Sequence, residues 1–534
     1  MSEKQSEYAM SENVSRMIGR DAQRNNIMAA KIIADIVKTT LGPKGMDKML
    51  VDSSGNIIVT NDGVTILEEM EIDHPAAKMM VQIARTQETE VGDGTTTVAL
   101  LTGKLLENAE KLLDRKIHPT LIVRGYSLAA EKSISILNDL SMPIENRETL
   151  KKVAMTAMTG KVAVSNKDEL SDLIIKAVDL VSTGKNVEIE SIKVQKLVGG
   201  SINKSELIEG IVLDKERANV DMPLNVKDAK ILLLDFSLEL KNPETEAKIS
   251  ISSPDQLESF LASEERYLKD MTDRIINSGA NVLFCQKGID DVVQYYLAKS
   301  SVFAVRRVSK SDMDKIARAT SARTIANIKD ISGNVFGYAG LVEEVKEGED
   351  SYTYIKGCRN PKVVTIIVRG STEHIVDEIE RAIKDGLGDV VSCVKSGKIV
   401  PGGGAVEIEL AKRLRSYSKT LGGREQLAID EFANSIESIP ETLAENAGLD
   451  PIEILAELKK RHESGLVNDG LNLFVNKIED TFNAGIIEPL KVKTQAIKSA
   501  SEVANIILRI DDVLVSKSSL NGIKMKDQQY DASD

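Results

Sequence analysis

The sequence is poor in aromatic residues and in cysteine. It contains no tryptophan, and aromatic residues make up only 3% of its 534 residues, which argues against the base-stacking platforms of single-strand nucleic-acid binders. The three cysteines, Cys285, Cys358 and Cys393, are odd in number and far apart. The chain therefore offers neither a disulfide framework nor a CxxC metal site, and we predict three buried thiols.

Long apolar runs are also missing. No stretch of about 18 apolar residues occurs, and the polar start "MSEKQSEYAMSENVSRMIGR" has no apolar signal-peptide core. Acidic residues outnumber basic ones by 82 to 69, and the net charge of −13 argues against binding to nucleic acid or to an anionic membrane. With 42% hydrophobic residues the chain can still bury a large core. We expect a soluble, cytoplasmic protein.

The common catalytic signatures are absent as well. The sequence has no GxxxxGK(S/T), no HExxH, no GxSxG and only 4 histidines, so P-loop, zinc-protease and hydrolase-elbow sites have no support. Any chemistry must rest on aspartate and glycine.

The hydrophobic pattern divides the chain into three parts. Helical periodicity dominates up to about residue 147, including a buried helix predicted to end at Leu41, and it returns from about residue 400. Between these parts, short apolar strands alternate with helices, in "KILLLDFSL", "NVLFCQKG", "SVFAVRRV" and "KVVTIIVRG". In the first part, "NIIVTNDGVTIL" has two β-branched runs around Asn-Asp-Gly and is predicted to form a hairpin.

One charged helix stands out in the middle part. It is predicted to begin with Ser253 as N-cap, Pro254 at the first position and Gln256 completing a capping box. Its apolar stripe comprises Leu257, Phe260, Leu261, Leu268, Met271 and Ile275. By itself this stripe is typical of a helix that packs on its own domain.

The stretch "VGDGTTTVALL" carries the strongest chemical signal. Gly92 and Gly94 allow positive φ or close approach to a ligand, and a helix beginning near Thr95 presents unpaired N–H groups and a positive dipole end. The hydroxyls of Thr95, Thr96 and Thr97 could add donors to phosphate oxygens. Asp93 beside an anion site is explained by a bridging Mg²⁺, although the same residue also fits a plain N-cap.

Other turns built around glycine, called glycine corners below, are weaker signals. "TLGPKGMDKML" ends a helix at Gly42 and Pro43 and suits either a phosphate contact or a simple helix stop. Asp62 in "TNDGVTIL" fits a turn, and "VPGGGAVEIE" fits a flexible entry to a helix after Gly404.

Taken together, these motifs carry a family resemblance. "LGPKGMDKML", "TNDGVTIL", "VGDGTTT", "VPGGGAVE" and "GIIEPLKVK" occur in the order found in group II chaperonins. The chain resembles subunits of the archaeal thermosome and the eukaryotic cytosolic chaperonin, from "GRDAQRNNIMAAKIIADIVKTTLGPKG" to "ILRIDD". The resemblance implies a multidomain α and α/β fold. The expected domains are an equatorial domain of residues 1–147 and 400–534, an intermediate domain of residues 148–215 and 365–399, and an apical domain of residues 216–364.

The resemblance also assigns a lid. The segment at about 242–272 matches the helical protrusion that serves group II chaperonins as a built-in lid. Bacterial-type chaperonins share LGPKG and GDGTT but use a separate co-chaperonin, so none is expected here.

Site residues follow from the same resemblance. Gly42, Pro43, Gly94 and the three threonines are expected to hold ATP phosphates, with Asp93 on Mg²⁺ and Gly403 near the nucleotide. Asp62 is expected near the γ-phosphate and the attacking water. Asp385 in "RAIKDGLGDVV" matches the catalytic carboxylate of the intermediate domain, although its position also fits an ordinary helix-surface aspartate.

The resemblance assigns nucleotide contacts to two more positions, and each of these residues also has a simpler structural explanation. Lys161 in "TAMTGKVAV" matches a nucleotide-sensing loop but could be a solvated lysine, and Glu488 in "GIIEPLKVK" matches a ribose contact but could be a turn acid. Gly386 stands where relatives usually carry alanine, which loosens the helix by about 1 kcal/mol next to Asp385.

The implied function is an ATP-dependent chaperone and ATPase that binds unfolded polypeptides. Its subunits, identical or paralogous, are expected to form two rings stacked back to back, with about eight or nine subunits in each. The alternatives are an ATP-independent holdase or a ring or filament scaffold of the same fold, and a monomeric Mg²⁺-dependent nucleotide hydrolase.

Overall fold

The chain folds into two compact units. A computed structural model describes residues 14–51, 53–160, 166–184, 186–240, 253–331, 333–348, 350–358 and 363–516. The first unit takes the residues up to 142, residues 400–486 and the residues from 490 onward, and the second takes residues 143–399 and 487–489. The finer division into equatorial, intermediate and apical domains stays a prediction.

The elements alternate between helix-rich and mixed stretches. The N-terminal part contains β1 (Val14–Ile18), α1 (Arg20–Lys38), β2 (Lys48–Val51), β3 (Ile57–Thr60), α2 (Gly63–Glu69), α3 (Pro75–Val91), α4 (Thr95–Asp114), α5 (Pro119–Leu140) and β4 (Met142–Pro143). The middle part contains α6 (Arg147–Ala157), α7 (Lys167–Val181), β5 (Ile192–Val198), β6 (Glu206–Ile208), β7 (Gly210–Leu213), β8 (Asn225–Leu234), α8 (Pro254–Asn277), β9 (Val282–Cys285), α9 (Asp291–Lys299), β10 (Phe303–Val305), α10 (Lys310–Thr320), β11 (Thr324–Ile325), β12 (Gly337–Glu347), β13 (Asp350–Cys358), β14 (Val364–Gly370) and α11 (Glu373–Ser396). The C-terminal part contains β15 (Lys398–Pro401), α12 (Ala405–Ser418), α13 (Glu425–Asn446), α14 (Pro451–Glu463), β16 (Asp469–Asn472), β17 (Lys477–Asp480), β18 (Ile487–Pro489), α15 (Leu490–Leu508) and β19 (Asp512–Ser516).

The first unit is built around α4. This helix packs against α1, α3, α13 and α15, and it is apolar on several faces, with buried Val98, Leu101, Leu105 and Leu106. Burial on several faces is typical of a helix in the middle of a helical core. Segments near the two ends of the chain meet in this unit, because β1 and β19 pair antiparallel.

The predicted hairpin is wrong in its second half. Ile57–Thr60 does form a strand, but its antiparallel partner is the preceding segment Lys48–Val51. The second β-branched run lies in α2 because Asp62 caps that helix: its Oδ2 accepts hydrogen bonds from Thr65 N at 3.0 Å and from Thr65 Oγ1 at 2.7 Å. The N-cap preference of aspartate outweighs the β propensity of a short Val-Thr-Ile run. The first helix also ends one turn early, at Lys38, and Leu41 lies in the turn that follows.

The second unit is α/β, as the strand pattern predicts. Its larger sheet has the order β10-β9-β8-β12-β13-β7, with β11 paired to β8. Strands β8, β9, β10 and β11 are parallel, and β12, β13 and β7 add antiparallel neighbours. The smaller sheet, β5-β14-β6, is covered by α7 and α11. All four predicted apolar strands are confirmed.

The charged helix α8 begins as predicted. Ser253 is the N-cap, its Oγ accepts from Gln256 N at 3.3 Å, and Pro254 is the first residue. The apolar stripe divides along the helix: Leu268, Met271 and Ile275 are buried, whereas Leu261 is 54% exposed. The C-terminal half of the stripe therefore packs on its own unit, whereas Leu261 faces solvent. Residues 242–252 of the predicted protrusion lie outside the described residues.

The three cysteines are buried thiols, as predicted. Burial raises the pKa of Cys285 and of Cys358 to about 11 and raises that of Cys393 further. The described residues also include no helix long and apolar enough to cross a membrane.

Candidate functional site

The loop between α3 and α4 forms an open helix start. Gly92 and Gly94 have left-handed φ values of 88° and 83°, which glycine adopts without strain. Gly94 is the N-cap of α4, and no side-chain hydrogen bond caps this helix. The first intrahelical bond runs from Val98 N to the Gly94 carbonyl. The N–H groups of the three threonines are therefore left to face an anion.

Asp62 lies at the same helix start. Its Oδ1 accepts a hydrogen bond from Thr95 Oγ1 at 3.2 Å, while its Oδ2 caps α2. The N-termini of the two helices are in close contact, because a Cβ on Gly63 would lie 2.7 Å from Thr96 Oγ1 and 2.9 Å from Thr96 N. The structure thus brings two of the predicted residues, 33 positions apart, to one point.

The Gly42 corner lies at the same end of the helix pair formed by α1 and α4. These helices run antiparallel, as three contacts along them show: Arg24 with Asp114, Lys31 with Glu107, and Ala34 with Gly103. Continuing this register places the end of α1 beside the start of α4. Leu41 and Leu100 accordingly share one buried cluster.

Helix α13 connects the Gly42 corner to a third glycine corner, at Gly403 and Gly404. A Cβ on Gly42, where φ is 83°, would lie 2.3 Å from Leu443 Cδ2, and a Cβ on Gly404, where φ is 82°, would lie 2.6 Å from Pro440 Cβ. Pro440 and Leu443 are one turn apart on α13. Gly403 is adjacent to Gly404, and α12, like α4, starts without a side-chain cap. Three glycine corners therefore converge at one end of the first unit.

The donor set fits Mg²⁺ bound together with phosphates. The described residues contain no group of three or more His, Cys, Asp or Glu side chains that could hold a metal by themselves. Mg²⁺ in nucleotide sites is typically held by one or two carboxylates, with water and phosphate oxygens as the other ligands. Asp93 beside the open start of α4 matches that chemistry. Its Oδ1 accepts from Gly94 N at 2.6 Å, which fixes the side chain within the loop.

The remaining predicted residues belong to the second unit. Asp385 is a half-buried residue of α11, and Glu488 is a half-buried residue of β18. Both α11 and β18 pack against α6, and Ile487 N donates to Thr156 Oγ1 at 3.4 Å. Lys161, in the loop that follows α6, lies outside the described residues. The structure thus brings the elements bearing Asp385 and Glu488 together within this unit.

Gly386 has a packing role. A Cβ at this position would lie 2.8 Å from Ile174 Cδ1 of α7. The glycine therefore lets α7 approach the helix that carries Asp385.

Sequence reasoning missed two polar residues that shape the glycine corners. Gln87 is completely buried, and its Nε2 donates to the Asp93 carbonyl at 2.9 Å. Asn446 Nδ2 donates to the carbonyls of Lys38 and Leu41, at 3.0 and 2.9 Å, and so completes the end of α1. Gln87 had a signal in the sequence, because it is a polar residue on the apolar stripe of α3.

Comparison with known proteins identifies the family. The profile of the TCP-1/cpn60 chaperonin family matches residues 33–518. The chain is 54% identical over 512 residues to a thermosome subunit beta of Archaeoglobus fulgidus, covering 95% of this chain and 94% of that protein. It is 53% identical over 512 residues to a thermosome subunit of Methanopyrus kandleri, with the same coverage. It is 50% identical over 529 residues to one of Methanothermococcus thermolithotrophicus, covering 98% and 97%.

The chain therefore belongs to the TCP-1/cpn60 chaperonin family, and its fold is the multidomain chaperonin fold. Within that family it is a group II chaperonin subunit of the thermosome type, a molecular chaperone for protein folding.

Proposed function

We propose that the chain is an ATP-hydrolysing subunit of a cytoplasmic double-ring chaperonin. Identical or paralogous subunits form two rings back to back, and each ring encloses an unfolded polypeptide under lids built into its own subunits. No separate co-chaperonin takes part. The observation that carries the nucleotide assignment is the convergence of Gly42, Asp62, Gly94 and Gly403 around the uncapped start of α4.

The first unit binds the nucleotide. The N–H groups and hydroxyls of Thr95, Thr96 and Thr97 donate to phosphate oxygens, and the glycines at 42, 94 and 403 let the backbone approach them closely. Asp93 holds Mg²⁺, which neutralises phosphate charge when bound. Asp62, fixed by its bonds to Thr65 and Thr95, orients the attacking water. We assign this unit to the equatorial domain.

The second unit supplies the catalytic carboxylate. Asp385 acts as general base toward the attacking water when the domains close, Lys161 senses the γ-phosphate, and Glu488 accepts hydrogen bonds from the ribose hydroxyls. Because binding and proton transfer are divided between domains, hydrolysis is coupled to domain motion. ATP hydrolysis then completes closure of the chamber.

The lid is formed by the segment around α8. Its support is the divided apolar stripe: buried Leu268 and Met271 anchor the helix, while Leu261, in its N-terminal half, is exposed. Deleting residues 242–272 should preserve assembly and ATP turnover but abolish encapsulation. An undiminished folding yield for a substrate that requires encapsulation would refute the lid assignment.

The deciding experiment is ATP-dependent refolding of a denatured, aggregation-prone enzyme by the purified oligomer. Wild type should release active enzyme, and Asp385→Ala should bind ATP but neither hydrolyse it nor refold the enzyme. Asp377→Ala, on the same helix, removes an ion pair with Lys196 at 2.6 Å and serves as the matched control, with wild-type turnover.

Other results would point to the alternatives. Suppression of aggregation by both proteins, without release of active enzyme, would favour a holdase or scaffold. Wild-type turnover by Asp385→Ala would remove that residue from the catalytic role. Full ATPase activity in particles of 58.3 kDa would indicate a monomeric hydrolase.

A further inference from the structure

A buried glutamine holds the α3–α4 loop from behind. Gln87 Nε2 donates to the Asp93 carbonyl at 2.9 Å and to the Val492 carbonyl at 3.4 Å. The orientation of the amide is fixed, since two carbonyl oxygens can be satisfied only by the NH₂ group. A Cβ on Gly94 would lie 3.1 Å from the same nitrogen and 3.0 Å from Val492 Cγ1. The loop thus packs on Gln87 and on Val492, and Val492 lies in the first turn of α15.

Three successive residues of α15 contact the surroundings of this loop. Before Val492, Lys491 Nζ donates to the Glu90 carbonyl at the end of α3, at 2.9 Å. After it, Lys493 Nζ lies 2.8 Å from Glu407 Oε1. The first turn of α15 is therefore bound to α3 on one side and to α12 on the other.

The ion pair of Lys493 with Glu407 is buried. The side chains are 10% and 4% exposed, so the pair was removed from water at a high desolvation cost. Glu407 lies in the first turn of α12, three residues after its N-cap Gly404. The pair thereby connects the Gly403 corner at the start of α12 to the first turn of α15, whose Val492 carbonyl accepts a hydrogen bond from Gln87.

We propose that Gln87, Lys493 and Glu407 are positioning residues that set the geometry of the two uncapped helix starts, α4 and α12, for Mg²⁺-ATP. This inference rests on the proposed function, because it assigns nucleotide binding to those helix starts. Gln87 fixes the backbone directly after the Asp93 side chain, at the Asp93 carbonyl and at Gly94. The ion pair fixes the spacing between the loop and the Gly403 corner. None of the three needs to touch the nucleotide to control its affinity.

The test replaces Gln87 by methionine, which has nearly the same volume but no donor. Binding of ATP to the assembled protein is followed while Mg²⁺ is titrated. Gln87→Met should raise the Mg²⁺ concentration for half-maximal binding by about tenfold or more, as is typical when a partner that orients a metal ligand is lost. Gln82→Met, an exposed glutamine on the same helix, should leave it unchanged.

A second variant avoids leaving an unpaired buried charge. The double variant Lys493→Met/Glu407→Gln neutralises both partners, a change that buried pairs often tolerate. It should also weaken Mg²⁺-ATP binding, whereas Lys498→Met, at an exposed position of α15, should not. For each variant, the increase in melting temperature caused by a fixed concentration of Mg²⁺-ATP is compared with the same variant without nucleotide. A general loss of stability therefore does not imitate loss of binding.

The outcomes separate this inference from the proposed function. If wild type does not bind Mg²⁺-ATP, the proposed function fails. If wild type binds it and both Gln87→Met and the double variant bind it equally well, the positioning role alone is refuted. Weaker binding in either variant, with wild-type behaviour of its control, supports it.

Discussion

Adding one methyl group at Gly63 tests how closely α2 and α4 must approach for catalysis. An alanine Cβ at this position would lie 2.9 Å from Thr96 N and 3.1 Å from Thr96 Cα, whereas ordinary contacts begin at 3.4 Å. The obstacle is backbone, so the helix starts must separate by about 0.5 Å, the difference between 2.9 and 3.4 Å. The bond of 3.2 Å from Thr95 Oγ1 to Asp62 Oδ1 would then lengthen past the limit of a hydrogen bond.

Two measurements follow from this geometry. Gly63→Ala should destabilise the protein by about 1–2 kcal/mol, as overpacking of a close contact does. It should also lower ATP turnover by roughly tenfold to a hundredfold, because Asp62 moves relative to the start of α4. Gly422→Ala is the matched control, since a Cβ there meets nothing within 4 Å. Wild-type turnover and wild-type melting of Gly63→Ala would show that this contact does not set the position of Asp62.

Three further predictions concern other parts of the chain. Gly386→Ala should gain about 1 kcal/mol of helix propensity but lose much of this gain through the steric clash of the new Cβ with Ile174 Cδ1. The double variant with Ile174→Val, which lacks Cδ1, should be about 0.5–1 kcal/mol more stable than the sum of the single changes, and additive melting shifts would contradict this. His74 caps α3 by accepting from Ala76 N through Nδ1 at 3.2 Å, and burial lowers the pKa of His74. Its stabilisation is therefore full above the ordinary histidine pKa of about 6.5 and is lost as the pH falls through the lowered pKa of the folded protein. On acidification, the first turn of α3 should lose protection from hydrogen exchange in wild type but not in His74→Asn, because asparagine caps without titrating; equal losses in both would exclude His74 as the cause. Asp93→Asn should raise the Mg²⁺ concentration required for ATP binding by about tenfold or more, whereas Asp73→Asn, at an exposed position, should leave it unchanged. An unchanged Mg²⁺ requirement in Asp93→Asn would show that Asp93 is not the metal ligand.

Local sequence chemistry predicted much of the secondary structure. The Ser253-Pro254 start of α8 and the four apolar strands of the second unit follow from capping and from β-branched runs, which act over a few residues. The second half of the predicted hairpin failed for a local reason too. The run after Asp62 can form a strand or a capped helix, and the cap decides in favour of the helix.

The candidate site was recognisable from sequence only as a set of separate motifs. The residues of "VGDGTTT" determine an open helix start by themselves, because left-handed glycine and an uncapped first turn are properties of consecutive residues. Family resemblance supplied their roles. Nothing in the spacing of Asp62 and Thr95, or of Gly42 and Leu443, states that they meet.

The sequence by itself determined the helical and α/β composition, the glycine corners and the carboxylates available for chemistry, since these depend on residue type and near neighbours. Only the tertiary structure decided that the corners converge at one end of the first unit, that Gln87 seats the Asp93 loop, and that Lys493 and Glu407 join α15 to α12. Those contacts join residues up to 405 positions apart. Long-range packing of the helical core brings them together, and no local propensity encodes it.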